Sequence, residues 1–226
     1  NEDTMEKYQK LRNELSECCD VFWALDESKK KYIQPEDIPF FRFNISDIHS
    51  LGYEMLYDDS IFGNVNFILQ GFYKRYPDYD YYWSVEYDVV FTGDWRTLIN
   101  AFEQTDSDLI SCHIEKYDIK RNAHWDWWKP IVWVEEEIPL ERCVKSFNPI
   151  FCLSNRALSF LDGYFRKGNC GHFETIMSTA LHFYGFKLTD MGGLGEFTPP
   201  EFRNKFYVQG VGTVSYTHLR AHETGR

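Results

Sequence analysis

Apolar positions recur along this chain with two different periods, and the changes of period mark its elements. Behind Asp3-x-x-Glu6, which has the spacing of a capping box, Met5, Tyr8, Leu11 and Leu15 fall on one helical face, so the chain opens on a helix. Val21 to Leu25 is a continuous apolar run, as for a strand covered on both faces, and Asp26, Glu27, Ser28 and the following lysines close it. Residues 38–57 give mixed signals, with a short strand at Phe40 to Phe43. Helical spacing returns with Ile61, Val65, Ile68, Leu69 and Phe72 and stops at Pro77. Tyr82 to Phe91, rich in β-branched and aromatic residues, reads as the best-marked strand; Thr92-Gly93-Asp94 turns, and Asp94 caps a helix carrying Trp95, Leu98, Ile99 and Phe102.

The alternation continues to the end. Leu109 to Ile114 predicts a strand, residues 115–130 a polar and aromatic loop, and Ile131 to Val134 and Pro149 to Leu153 two further strands. Ser154 or Asn155 caps a helix with Leu158, Leu161 and Phe165; Phe173 to Tyr184 forms the last strong helix, ended by Gly185, ahead of an apolar run at Phe186 to Leu188. Strands alternating with helices predict an α/β domain with a mostly parallel sheet flanked by helices. A doubly wound sheet normally begins with a strand and this chain begins with a helix, so the reading is one domain over residues 1–213 that lacks its first strand. Residues 214–226, Val-Ser-Tyr-Thr-His-Leu-Arg-Ala-His-Glu-Thr-Gly-Arg, resemble a translated sequencing-adapter tail and are read as non-native.

Composition narrows the function classes. A formal charge of −11 and a pI near 5.1 disfavour attachment to nucleic acid or anionic lipid, which reward clustered Lys and Arg. No apolar run approaches the ~20 residues of a transmembrane segment. Six cysteines without a CxxC pair argue against structural zinc and a disulfide scaffold, and point to a reducing, cytoplasmic location. The aromatic content of 18% is high; much of it is expected in core packing, and some as a sugar platform.

Three constellations carry candidate chemistry. In a strand from Tyr82 to Phe91, two-residue periodicity puts Glu86 and Asp88 on one face, where two carboxylates repel unless a cation and phosphate oxygens relieve them. Acid-x-acid is also a frequent triplet, and the spacing is equally met by two solvated acids. Gly168 to Thr175 offers a glycine-rich helix start with His172 and Glu174, which suits a base or an anion contact but also plain helix capping. The loop His124-Trp125-Asp126-Trp127-Trp128 offers indole faces and a carboxylate to a sugar, or simply covers the sheet edge. Asp26 after the first strand is a candidate for ribose or base, Asn64 and Asn66 for donor contact or capping, and His113 for a metal ligand or a structural role.

The run Tyr82-Trp83-Ser84-Val85-Glu86-Tyr87-Asp88-Val89-Val90-Phe91-Thr92-Gly93-Asp94-Trp95 resembles a segment of glycosyltransferases of the GT-A fold, bacterial relatives included. In that family an aromatic strand ends in an acidic triplet, usually Asp-x-Asp, that ligates Mn²⁺ or Mg²⁺ on the diphosphate of a nucleotide-sugar donor. The resemblance, spread over residues 18–195, implies a Rossmann-like GT-A sheet and a donor site at Glu86 and Asp88, to which Asp26 is added by its place after the first strand. Glu in place of the first Asp makes Asp88 the expected direct metal ligand, with Glu86 supporting. It further implies Glu174 as the base that deprotonates a glycan or other hydroxyl acceptor; the indole faces and carboxylate of the loop, with His172, then make Trp125, Asp126, Trp127, Trp128 and His172 the expected acceptor site. The readings kept beside it are a glycoside hydrolase using Glu86, Asp88, Asp126 and Glu174, and a non-catalytic glycan-binding domain.

Overall fold

Three strands of this chain alternate their apolar side chains between two cores, and a central sheet forms between those cores. The structure, a computed structural model, describes residues 2–32, 38–58, 60–207 and 218–219. In chain order the elements are α1 (Glu2–Leu15), β1 (Trp23–Asp26), β2 (Phe40–Phe43), α2 (Ile45–His49), α3 (Asn66–Arg75), β3 (Tyr81–Val85), β4 (Val90–Phe91), α4 (Trp95–Phe102) and β5 (Leu109–Lys116). They continue with β6 (Ile131–Val132), β7 (Val144–Ser154), α5 (Asn155–Arg166), β8 (Cys170–Gly171), α6 (Phe173–Phe183), β9 (Leu188–Asp190) and β10 (His218–Leu219). Short 3-10 turns occupy Asp126–Trp128, Leu140–Arg142 and Pro200–Phe202. The side chain of Asp3, expected as a cap, lies outside the described residues, as does most of the 214–226 tail; His218–Leu219 lies parallel to β4.

The main sheet has the order β3-β7-β5-β9. β7 is antiparallel to both β3 and β5, while β9 is parallel to β5, so β3, β5 and β9 run one way and β7 runs back between them. The sheet is therefore mixed. The expected strand at Pro149 to Leu153 is the second half of a longer one that starts at Val144 and supplies the reversal. β1 and β2 form a separate parallel pair. Phe22 just before β1 packs its ring against Phe72 and Tyr76 of the α3 region, which seats this pair on the same helix that precedes β3. β1 is shorter and less covered than the apolar run predicts, with Ala24 and Asp26 exposed.

Tyr82, Leu109, Phe151 and Leu153 point into a core with α3, α5 and α6, where Leu158, Leu161 and Met177 are fully buried. Ile110, Cys112, Ile150 and Cys152 point into a second core with α1, α4 and the segment from Phe202 to Tyr207. The side-chain phase of β5 flips once. Ile110 and Cys112 share the second core, yet Ile114, two residues further on, lies in the first. The flip is a bulge: the register against β7 shifts between Cys112 and Glu115, and His113 takes φ of 48°, a left-handed conformation rare for a residue with a side chain.

The amino end of the sheet is closed by charge pairing. Asp108, 1% exposed, takes two bonds of 2.6 Å from Arg156, one from the Ser154 hydroxyl and one from the Lys187 amide; against the penalty of burial these partners hold its carboxyl below the usual range. Among the described residues no helix is long and apolar enough to cross a membrane. Leu109 feeds the larger core from the middle of the sheet, so Leu109→Ala is expected to cost about 2–5 kcal/mol in a urea titration, whereas Leu194→Ala, at an exposed position, should stay within about 0.5 kcal/mol of the parent.

Candidate active site

Open α/β sheets bind ligands beyond the carboxyl ends of their parallel strands. Here that edge is formed by the ends of β3, β5 and β9, the start of β7 and the amino terminus of α6. The first acid arrives differently from the alternation reading. β3 stops at Val85, and the Val89 amide donates to the Glu86 carbonyl at 3.1 Å, closing a turn through Tyr87 and Asp88 before β4 resumes. Glu86 and Asp88 therefore project from a tight turn and not from one face of a ten-residue strand. The Glu86 amide still donates to the Pro149 carbonyl of β7 at 2.8 Å, which fixes the turn to the sheet. Glu86 is half-buried, while Asp88 and Tyr87 are exposed. Burial, reinforced by the negative charge of Asp88, pushes the Glu86 carboxyl up to about 7.

Glu174 comes to the same edge from another element. His172 is the N-cap of α6, its Nδ1 accepting the Glu174 amide at 3.4 Å, so Glu174 falls in the first helical turn. Its Oε1 accepts the Asn148 amide of β7 at 3.0 Å. Only 6% of the residue is exposed, and burial, with Glu86 adding to it against the opposing Asn148 hydrogen bond and Lys145, pushes the carboxyl up to about 7. Glu174 thus feels the charge of Glu86, 88 residues away in sequence, and both carboxyls are raised toward neutral pH. The Nδ2 donor of buried Asn148 has no hydrogen-bond partner among the described residues.

His172 is 4% exposed, and burial holds its imidazole down to about 4, consistent with a neutral ring whose Nδ1 accepts. Trp127 stacks flat on that ring, with centroids 4.2 Å apart and an interplanar angle of 8°. The three tryptophans of the expected platform separate. Trp128 is a core residue, 4% exposed, with its indole N–H donating to the Asn122 carbonyl, so it offers no face to a ligand. Trp125 packs with Trp128 and Ile138, beneath the Lys145 ammonium at 4.8 Å. Trp127 alone of the three reaches the Glu174 neighbourhood through a ring contact. Asp126 is exposed at the start of its 3-10 turn. Asp26 ends β1 exposed, and its carboxylate is engaged locally by the backbone and hydroxyl of Ser28. Asn64 is buried, its Oδ1 accepting the Leu56 amide, a loop-holding role and not a helix cap.

Two features at this edge left no local mark in the sequence. Lys145, 8% exposed, pairs with Glu115 at 3.3 Å, and Asn122 also donates to that carboxylate. Asp190, at the end of β9, is 2% exposed and accepts hydrogen bonds from the amides of Ile114, Gly192 and Gly193 and from the Tyr207 hydroxyl, at 2.6–2.9 Å. The same hydroxyl accepts the His113 amide at 2.8 Å, and the rings of His113 and Tyr207 lie 4.6 Å apart. His113 serves this frame. Burial, assisted by Lys145 and opposed by Asp190, holds its imidazole below the usual range.

A family model described as Protein of unknown function (DUF3405) matches residues 19–111. The matched stretch runs from just before β1 into β5 and includes Glu86 and Asp88, but ends before Trp127, Lys145 and Glu174. No curated protein and no solved structure matches the chain.

The raised carboxyls have a defined effect on stability. A carboxyl at 4.5 when unfolded and about 7 when folded favours the folded state below pH 4.5, and that contribution is lost as pH rises through 7. Burial of His172 and His113 works the other way below pH 6.5, so the fall in stability is expected between pH 6.5 and pH 8 in denaturant unfolding, and Glu174→Gln should flatten it and raise the midpoint at pH 8.

Proposed function

We propose that this chain is a glycosyltransferase that moves a sugar from a nucleotide-sugar donor to a hydroxyl of a glycan or other acceptor. The observation that supports this most is that Glu174 lies near enough to Glu86, beside exposed Asp88, to feel its charge at the carboxyl ends of the parallel strands. The sequence resemblance of Tyr82 to Trp95 to GT-A enzymes adds the donor assignment, and the coarser α/β architecture is compatible with it.

Glu174 acts as the base. Its carboxyl near 7 matches the operating pH, where a general base is most effective. The Asn148 amide holds Oε1 and orients the group, and the carboxylate takes the proton of the acceptor hydroxyl. The hydroxyl oxygen then bonds to the anomeric carbon, the bond from that carbon to the donor phosphate oxygen breaks, and the nucleoside diphosphate leaves with the bonding electrons. Attack opposite the leaving group inverts the anomeric centre.

A divalent cation fits this edge only as a shared site. Among the described residues no group of three or more His, Cys, Asp or Glu is placed to hold a metal alone. Two carboxylates completed by substrate phosphates and water are, however, a common environment for Mg²⁺ and Mn²⁺; burial raises Glu86 first, and the Asp88 repulsion that adds to it is what a cation would relieve. Asp88, exposed, would be the direct ligand with Glu86 beside it, and the ion would neutralise charge on the departing diphosphate.

The same carboxyl pair favours one second reading, hydrolysis of a glycosidic bond with Glu86 and Glu174 as acid and base. Differential scanning fluorimetry separates the two. With UDP, GDP or CMP, one nucleotide is expected to raise Tm in the presence of Mn²⁺ and not in its absence, and Asp88→Ala should abolish the shift. Glu174→Gln should keep the shift while cutting transfer by about 10²–10⁴-fold. Stabilisation by oligosaccharide with no nucleotide effect, together with release of nitrophenol from aryl glycosides, would replace the transferase with the hydrolase.

A further inference from the structure

Large apolar side chains on a soluble surface are usually scattered, and a contiguous exposed group marks a binding surface. Tyr57 and Phe62 are 43% and 53% exposed, and their rings are in contact at 5.9 Å. Phe62 continues the contact inward, edge-on to Trp127 at 5.7 Å and to His172 at 6.0 Å. Trp127 in turn lies flat on His172, whose Nδ1 is 3.8 Å from Glu174 Oε2. An unbroken line of rings therefore leads from solvent to the Glu174 carboxyl.

The line is held in place before any ligand arrives. The Phe173 amide at the start of α6 donates to the Gly63 carbonyl at 2.8 Å, and the buried Asn64 side chain accepts the Leu56 amide at 2.7 Å. Gly63 has φ of 77°, and a Cβ there would meet Leu56 Cδ2 at 2.7 Å and His172 Cδ2 at 3.3 Å. The segment that carries Phe62 is thus pressed against the ring beside the base. Rigid presentation of exposed rings leaves little ordering entropy for a ligand to overcome.

We infer that Tyr57, Phe62 and Trp127 form a platform for a sugar ring of the acceptor, which lays its C–H face on these rings and turns a hydroxyl toward Glu174. Two further features of the surface select this occupant. A sugar presents an apolar face and hydroxyl donors together, and the rings here adjoin the carboxyls of Glu174 and exposed Asp126, which accept from such donors. The chain as a whole carries a formal charge of −11, which disfavours anionic lipid and nucleic acid as partners. The identity of the reacting hydroxyl rests on the transferase reading; the binding of a sugar ring does not.

Saturation-transfer NMR of the full chain tests the platform, using methyl glucosides, methyl galactosides, methyl N-acetylglucosaminide, maltose and cellobiose as probes. At least one should receive saturation at its ring C–H protons. Phe62→Ala and Tyr57→Ala should each weaken it about 5–10-fold, with Leu194→Ala unchanged as an exposed control. Thermal midpoints of the variants close to the parent confirm that they fold, and the nucleotide-induced Tm shift should persist in both. The platform is overturned if no probe binds, or if both variants bind the probe as the parent does. If probes bind the platform while no nucleotide stabilises the parent, the transferase reading fails and the sugar platform stands.

Discussion

A carboxylate withdrawn from water needs a full set of donors, and Asp190 obtains its set from three separate stretches of chain. The Ile114 amide comes from β5, the Gly192 and Gly193 amides from the turn after β9, and the Tyr207 hydroxyl from the last described stretch before β10. That arrangement demands close packing. A Cβ on Gly192 would lie 2.9 Å from Tyr207, and one on Gly193 3.1 Å from the Asp190 oxygens. Tyr207 also receives the His113 amide, so the buried acid stabilises the left-handed turn of β5 at second hand. Without the bulge, β5 would keep one phase, and Ile114 would lose its place in the larger core.

The bulge also organises the candidate site. Beyond it, Glu115 meets Lys145 and Asn122, and Lys145 lies close enough to Glu174 to oppose the rise of its carboxyl. The acids of this edge thus differ in environment. Glu115, despite the penalty of burial, is held below its usual range by Lys145 and Asn122, whereas Glu86 and Glu174 are held above theirs. Carboxyls whose surroundings push them in opposite directions provide the division of labour that acid–base chemistry uses.

Much of the secondary structure was legible because its signals are local. The strand at Phe40–Phe43, the Asp94 cap of α4, the Ser154 cap of α5 and the stripe of α6 are all written within a dozen residues. The turn at Glu86–Val89 was hidden because Val90-Phe91 resumes an apolar run and makes two strands look like one. Glu174 was legible as a helix-start acid, but its meeting with Glu86 depends on how β7 threads between β3 and β5, a long-range pairing that periodicity does not encode. The tryptophan loop shows the same limit. Trp125, Trp127 and Trp128 are alike as a motif, and only the packing of Trp128 on Tyr117 and of Trp127 on His172 tells core from surface. Phe62 and Tyr57 carried no signal, since their significance lies in touching residues far away in the chain.

The two ends of the sheet store charge differently. At the amino end Asp108 is ionised and neutralised by Arg156, so its state is insensitive to pH across the neutral range. At the carboxyl end burial raises two acids toward neutrality, so the protonation of Glu86 and Glu174 shifts with pH where that of Asp108 does not. The formal charge of −11 counts both as fully negative. The electric field at this edge is therefore weaker near neutral pH than the residue count suggests, and it strengthens as Glu86 and Glu174 ionise.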